Sequence, residues 1–243
     1  MSDVHVPPQP GSLERAPQLL PLGRLGVFIL FSALFCVFAT FGFLWLARAI
    51  FANRFVTIDE AVLTWAHGYW GPTLDQVMLF FTTMGSTLVL SVFVVLAALA
   101  LLHSGRWIDA AGLVVAGGGA GLLNQLLKTI YQRVRPDLFE GPFHLTSYSF
   151  PSGHSMGSIV CYGMLTFLGV RLLKRPIDKV LLVLVAALLV LGIGFSRVYF
   201  DVHYPTDVLG GFIAGGSWLL ISIGLLEIAE WYVRRRAPRQ DVL

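Results

Sequence analysis

The chain has 243 residues, of which 56% are hydrophobic and 13% charged, and its formal net charge is +3. A soluble domain carries about 25% charged residues, so the composition excludes an ordinary water-soluble protein and makes lipid the natural solvent. So small a net charge argues against nucleic acid as a partner, and Cys36 and Cys161, both inside apolar runs, read as small buried hydrophobes rather than a disulfide or metal ligands.

Residues 1–24 are polar and rich in proline (Pro7, Pro8, Pro10, Pro17, Pro21) and read as a cytoplasmic tail. They are no signal peptide, because the apolar run that follows is too long and no small-residue cleavage site closes it. Charge-free stretches then cover 25–47, 76–102, 110–127, 155–170, 180–196 and 208–226. A spanning helix needs about 20 apolar residues. The short fourth stretch can be extended by Arg171 and Lys174, whose stems snorkel. The reading is an all-α bundle of six transmembrane helices over residues 25–230, with a basic cytoplasmic tail at 231–243. Between the first two spans, residues 51–75 carry Trp65, Tyr69 and Trp70 among polar residues, as a short helix lying in the membrane interface would.

The basic residues orient the bundle. Arg15, Arg24, Arg106, Arg171, Lys174, Arg175, Lys179, Arg234, Arg235, Arg236 and Arg239 fall on the side of the termini, and Arg48, Arg54, Lys128, Arg133, Arg135 and Arg197 on the other. The positive-inside rule places both termini in the cytoplasm of an inner, multi-pass membrane protein. Gly117, Gly118, Gly119 and Gly121 in the third span read as a close-packing face between helices.

Three segments on the outer side hold nearly all the chemistry. The third span ends in Lys128-Thr-Ile-Tyr-Gln-Arg-Val-Arg135-Pro136, the fourth opens with Pro151-Ser152-Gly153-His154, and the fifth ends in Ser196-Arg197, followed by His203 and Asp207. Lys128, Arg135 and Arg197 put cations at one membrane surface, where a phosphate group is the ligand such a cluster suits. Ser152 is a good N-cap, and the free amides of the helix it starts form an anion site beside His154. His203 and Asp207 stand four apart. A carboxylate on one imidazole nitrogen would leave the other free as nucleophile or base, although Pro205 argues for a turn rather than a regular helix between them. His144 is a possible headgroup contact, while His5, His67 and His103 carry less weight.

The patterns K-x6-R-P, P-S-G-H and S-R-x5-H-x3-D resemble the type 2 phosphatidic acid phosphatase superfamily at full spacing. That superfamily includes bacterial phosphatidylglycerophosphate and undecaprenyl diphosphate phosphatases. The resemblance implies a metal-independent lipid phosphatase with no cofactor. His203 would be the nucleophile that forms a phosphohistidine, Asp207 its orienting carboxylate and His154 the general acid. Lys128, Arg135, Arg197, Ser152 and Gly153 would hold the phosphoryl oxygens. The substrate would be a membrane lipid phosphate or diphosphate reached from the outer face. Vanadium-dependent haloperoxidases share this pocket pattern, but they are soluble, and the six apolar spans argue against them. A membrane phosphatase for a soluble sugar phosphate or nucleotide is the alternative to carry, and a non-catalytic lipid-binding or transport protein is less consistent with the intact histidines. Oligomeric state and the preferred lipid are not legible.

Overall fold

A computed structural model describes residues 21–139, 143 and 145–236. His5, His144, residues 1–20 of the predicted N-terminal tail and residues 237–243 of the predicted basic tail lie outside the described residues. Among the described residues the chain is all helical. The elements are α1 (Pro21–Phe51), α2 (Val56–His67), α3 (Pro72–Met84), α4 (Thr87–His103), α5 (Trp107–Tyr131), α6 (Gly153–Val170), α7 (Pro176–Tyr199) and α8 (Pro205–Arg236).

The apolar stretches become helices because lipid offers no partner for an unbonded backbone group. Four helices are long and apolar enough to cross a membrane alone: α1, α5, α7 and α8. The stretch at 76–102, expected as one crossing, is two helices bent by 51° at a short break. Pro72 and Asp75 open α3, with Asp75 accepting the Gly71 N–H at 3.3 Å, and Ser86 caps α4 by accepting the Val89 N–H at 3.4 Å. Taken together, α3 and α4 give a fifth candidate crossing. Helix α6, 18 residues long, is not among the helices long and apolar enough to cross alone. The reason is its position. It packs against α4, α5, α7 and α8, so it needs small and polar residues for close contact rather than a lipid-facing coat.

Val160, Met164 and Leu168 recur every four residues along α6 and are buried against Leu113, Ala116 and Ala120 of α5 and Ile223 and Leu226 of α8. Helix α8 forms the other half of this centre and also carries α1 on its flank. Phe31, Phe38 and Phe41 of α1 are exposed, as a lipid-facing surface requires. The segment between the first two apolar stretches does contain a helix, α2, whose Leu63 and Ala66 pack with Val198 and Val208 of α7 and α8.

Helix α1 starts at Pro21, inside the segment read as tail, and α8 continues to Arg236, through the first part of the segment read as basic tail. Nothing between Trp231 and Arg236 breaks a helix. The i,i+4 pair Glu230–Arg234 (2.7 Å) and the Arg235 guanidinium 4.0 Å over the Trp231 ring add local support.

The glycine run divides by face. A Cβ on Gly119 would collide with the ring of Trp218, whose indole N–H donates to the Ala116 carbonyl at 2.9 Å, so this residue is the expected close-packing glycine. A Cβ on Gly118 or Gly121 would meet nothing within 4 Å, and both residues line a cavity instead.

Candidate active site

The ends of α5 and α7 and the starts of α6 and α8 meet at one end of the bundle. Helix α5 stops after Tyr131 because Gln132 adopts the left-handed conformation (φ 46°) and returns its N–H to the Lys128 carbonyl at 3.0 Å. This leaves Lys128 in the last turn, with its Nζ donating to the Tyr148 carbonyl at 2.5 Å. Arg135 follows in the loop. It donates through Nε to the Ser147 carbonyl (2.7 Å), through Nη1 to the Val202 carbonyl (2.5 Å) and through Nη2 to the Ser147 hydroxyl (3.0 Å). Arg197, in the last turn of α7, donates to the Thr82 hydroxyl of α3, and its buried Nε has no hydrogen-bond partner among the described residues. Among the described residues, no carboxylate lies within ion-pair distance of Lys128, Arg135 or Arg197.

Ser152 is the N-cap of α6, as its sequence position predicts: its hydroxyl accepts the Ser155 N–H at 3.4 Å. The Ser152 side chain is fully buried and does not line the cavity that Gly153 and His154 line. A Cβ on Gly153 would lie 3.0 Å from the Asn124 Oδ1, so the glycine permits α5 and α6 to approach here.

His203 stands in the short turn between α7 and α8. The turn bends because Asp201 takes a left-handed conformation (φ 53°), and its carboxylate accepts the N–H groups of Leu138 (3.1 Å) and Phe139 (2.9 Å), fastening the loop that carries Arg135. Pro205 then opens α8 as its first residue, where its missing N–H costs nothing. The expected contact across it forms by capping: the Asp207 Oδ2 accepts the Tyr204 N–H at 2.9 Å and lies 3.5 Å from the His203 Nδ1. The Arg135 Nη1 lies 3.1 Å from the His203 Nε2. Guanidinium can only donate, so Nε2 holds the lone pair and Nδ1 carries the proton toward Asp207. Burial keeps this imidazole neutral, lowering its pKa to about 3 against the upward pull of Asp207.

Lys128, Arg135, His154, Arg197, His203 and Gly153 line one cavity of about 650 Å³. Asp207 lies behind its wall. From this polar end the cavity continues along Gln125, Gly121, Gly118 and Val114 of α5, facing Leu90, Val94 and Val95 of α4. Val114 and Lys128 are fourteen residues apart, about 21 Å along the helix. Among the described residues no three His, Cys, Asp or Glu side chains converge as a metal site would require.

Sequence reasoning missed the groups behind His203. Ser149, fully buried, lies 3.4 Å from the His203 Nδ1 and donates to the Asp207 Oδ2. Arg133 donates to the Asp207 Oδ1 at 2.6 Å and to Asp59 of α2 at 2.9 Å. Arg133 sits inside the K-x6-R-P stretch, but nothing in the spacing separates it from a surface cation. His67 packs away from the cavity, stacked 3.8 Å from the Phe139 ring.

Comparison with known proteins gives the family. Residues 109–230 match the model of the PAP2 superfamily. Phosphatidylglycerophosphatase B of Bacillus subtilis is 37% identical over 175 residues, covering 71% of this chain and 85% of that protein. Undecaprenyl-diphosphatase of Sulfolobus acidocaldarius is 33% identical over 152 residues, covering 60% and 68%. Among solved structures, the transmembrane PAP2-type phosphatidylglycerolphosphate phosphatase from Bacillus subtilis superposes with a TM-score of 0.71 at 32% identity, covering 84% of this chain and 98% of that one.

Proposed function

This chain belongs to the PAP2 superfamily, and from that premise we propose that it is an integral membrane phosphatase that removes phosphate from a lipid monophosphate or diphosphate through a phosphohistidine. The observation that carries the reading is a set of cations with no carboxylate partner among the described residues, around an imidazole whose lone pair faces them. Elsewhere such cations would be costly at membrane depth; here they await a phosphate dianion.

In the first step the His203 Nε2 attacks phosphorus and the bond to the lipid oxygen breaks. His154 gives that oxygen a proton, and the phosphoryl group remains on His203. Lys128, Arg135 and Arg197 balance its charge, with the orphaned Nε of Arg197 and the amide of Gly153 as further donors. Ser152 serves by holding the start of α6. In the second step His154, now neutral, takes a proton from water as it attacks phosphorus, and His203 is released with inorganic phosphate. The proton on Nδ1 stays with His203 throughout, facing Asp207, which stabilises the ring when it becomes positive.

A lipid substrate is favoured over a soluble ester by the cavity, whose polar end runs into an apolar trough between α4 and α5. In this reading the bundle crosses the membrane six times, with α3 and α4 as one broken span and α6 as an interior one. The site opens on the outer face, and α2 rests in the interface. The deciding experiment is phosphate release by the full chain in detergent with EDTA, comparing undecaprenyl diphosphate, phosphatidylglycerophosphate, phosphatidate and a soluble sugar phosphate. Release from a lipid that His203→Ala abolishes supports the reading. Release only from the soluble ester, or an active His203→Ala, overturns it.

A further inference from the structure

Behind the His203–Asp207 pair lies a second layer of charge. Asp59, at the first turn of α2, is completely buried. Its Oδ1 accepts the Thr206 N–H at 3.1 Å, and its Oδ2 accepts the Thr206 hydroxyl at 2.6 Å and the Arg133 Nη2 at 2.9 Å. Arg133 Nη1 reaches the Thr206 hydroxyl at 2.8 Å and the Asp207 Oδ1 at 2.6 Å, and its guanidinium lies 4.1 Å over the Tyr204 ring. One arginine thus forks between two carboxylates.

The charges decide what this arrangement can do. Arg133 alone would neutralise Asp207 and leave nothing to balance a positive charge on His203. Asp59 restores one net negative charge to the group, so that the set Asp59, Arg133, Asp207 and His203 becomes neutral when the imidazole turns cationic during phosphoryl transfer. Besides Asp207, the charged or titratable groups facing His203 are Arg135 from the loop after α5, Arg197 from α7 and His154 from α6; Lys128 of α5 acts on Asp207, and Glu60 of α2 on Tyr204. All the nearby cations oppose a positive ring, which makes the additional carboxylate necessary.

We infer that Asp59 and Arg133 are positioning residues for phosphoryl transfer, Arg133 fixing the Asp207 carboxylate and Asp59 supplying the charge that keeps Asp207 an effective counter-ion for His203. This rests on the phosphohistidine reading above. It also explains why α2 is there. The segment between the first two apolar stretches holds the catalytic turn from behind, capping α8 at Thr206 while it balances Arg133.

The test uses the full chain in detergent and the lipid hydrolysed fastest in the comparison above, reading kcat, KM and the inhibition constant of inorganic phosphate. Asp59→Asn keeps the shape and removes the charge. It should lower kcat about 10–100-fold, the range found when the outer support of a metal-ligating histidine is removed, with KM and phosphate inhibition within about threefold, because the anion-binding cations are untouched. Arg133→Lys keeps the charge and loses the fork, and should show the same split. The double variant Asp59→Asn with Arg133→Met restores the net charge of the group and should turn over no slower than Asp59→Asn alone; a merely structural pair would give multiplied defects. If the double variant does not fold, the split between kcat and phosphate inhibition in Asp59→Asn and Arg133→Lys decides. An inactive His203→Ala beside an Asp59→Asn within twofold of the parent overturns this inference alone. An active His203→Ala overturns the reading beneath it.

Discussion

The two ends of the bundle use the same residue types to opposite effect. At the end away from the cavity, Arg171 closes α6 and grips Glu230 of α8 with both nitrogens, at 2.7 and 2.6 Å, while touching Asp109 of α5 at 3.4 Å. Arg106 pairs with Asp109 at 2.8 Å and Arg234 with Glu230 at 2.7 Å. Every arginine named here meets an acid. At the cavity end, Lys128, Arg135 and Arg197 meet carbonyls, hydroxyls, an imidazole and the Phe143 ring and, among the described residues, no carboxylate, while Asp59 and Asp207 are turned toward Arg133 and His203 instead. A balanced cluster ties helices together; a cluster left cationic is a binding site for an anion. The difference teaches that the partner of a charge, more than its presence, separates structure from function.

Substitutions at each end should break that contrast in different quantities. The largest effect belongs to the unbalanced end. Arg135→Ala or Arg197→Ala should lower kcat/KM about 10²–10³-fold with a small change in thermal stability, and a defect below threefold would remove the residue from the anion site. Ser149→Ala should be milder. It deletes one of several bonds holding Asp207 and His203, so about a tenfold fall in kcat with unchanged KM is expected from steady-state rates. Arg171→Ala should do the reverse, costing about 1–3 kcal/mol of stability, between a surface pair and a buried one, while kcat in the folded fraction stays within twofold. Equal loss of activity at both ends would erase the contrast.

Protonation sharpens it further. Because burial lowers the His203 pKa to about 3, its ring should remain neutral from pH 8 down to pH 5 in an imidazole NMR titration of the free protein. The sign follows from the cause: desolvation and the neighbouring arginines disfavour the cation, so protonation is delayed to more acidic pH. Half-protonation near 6.5, the ordinary histidine value, would show that the turn is wetter or less positive than its packing implies.

How much of this was legible in the sequence depends on distance along the chain. The apolar stretches located the long helices, since length and hydropathy are local properties. The break at Gly85–Ser86 was hidden within a continuous apolar run, where a Cβ on Gly85 would sit 3.1 Å from the His154 ring and press on Ile193. The three motifs supplied Lys128, Arg135, Gly153, His154, Arg197 and His203 of the cavity lining because each motif lies within a few positions of a helix end, while the lining from α4 carries no such mark. Asp59 escaped because its partners, Arg133 and Thr206, are 74 and 147 residues away. The glycine run was read as one face, yet successive helical residues turn by about 100°. Gly119 therefore clasps Trp218 while Gly118 and Gly121 open on the cavity. The capped turn at Pro205 was visible only as an objection to a helix, because proline's place as a first helical residue depends on where the helix starts.

Helix α8 carries Asp207 in its first turn and Glu230 near its other end, 23 residues later, which is about 35 Å of continuous helix. Such a rod exceeds the roughly 30 Å hydrocarbon thickness of a bilayer, so on the proposed six-span reading it would act as a stiff strut between the two water surfaces. A thinner or thicker host membrane changes the tilt of the strut, and its upper tip bears directly on the turn that aims the His203 ring. Turnover in reconstituted vesicles should therefore vary with the acyl length of the host lipid even when the substrate is held constant, and an enzyme indifferent to that length would show that the turn rides free of its support.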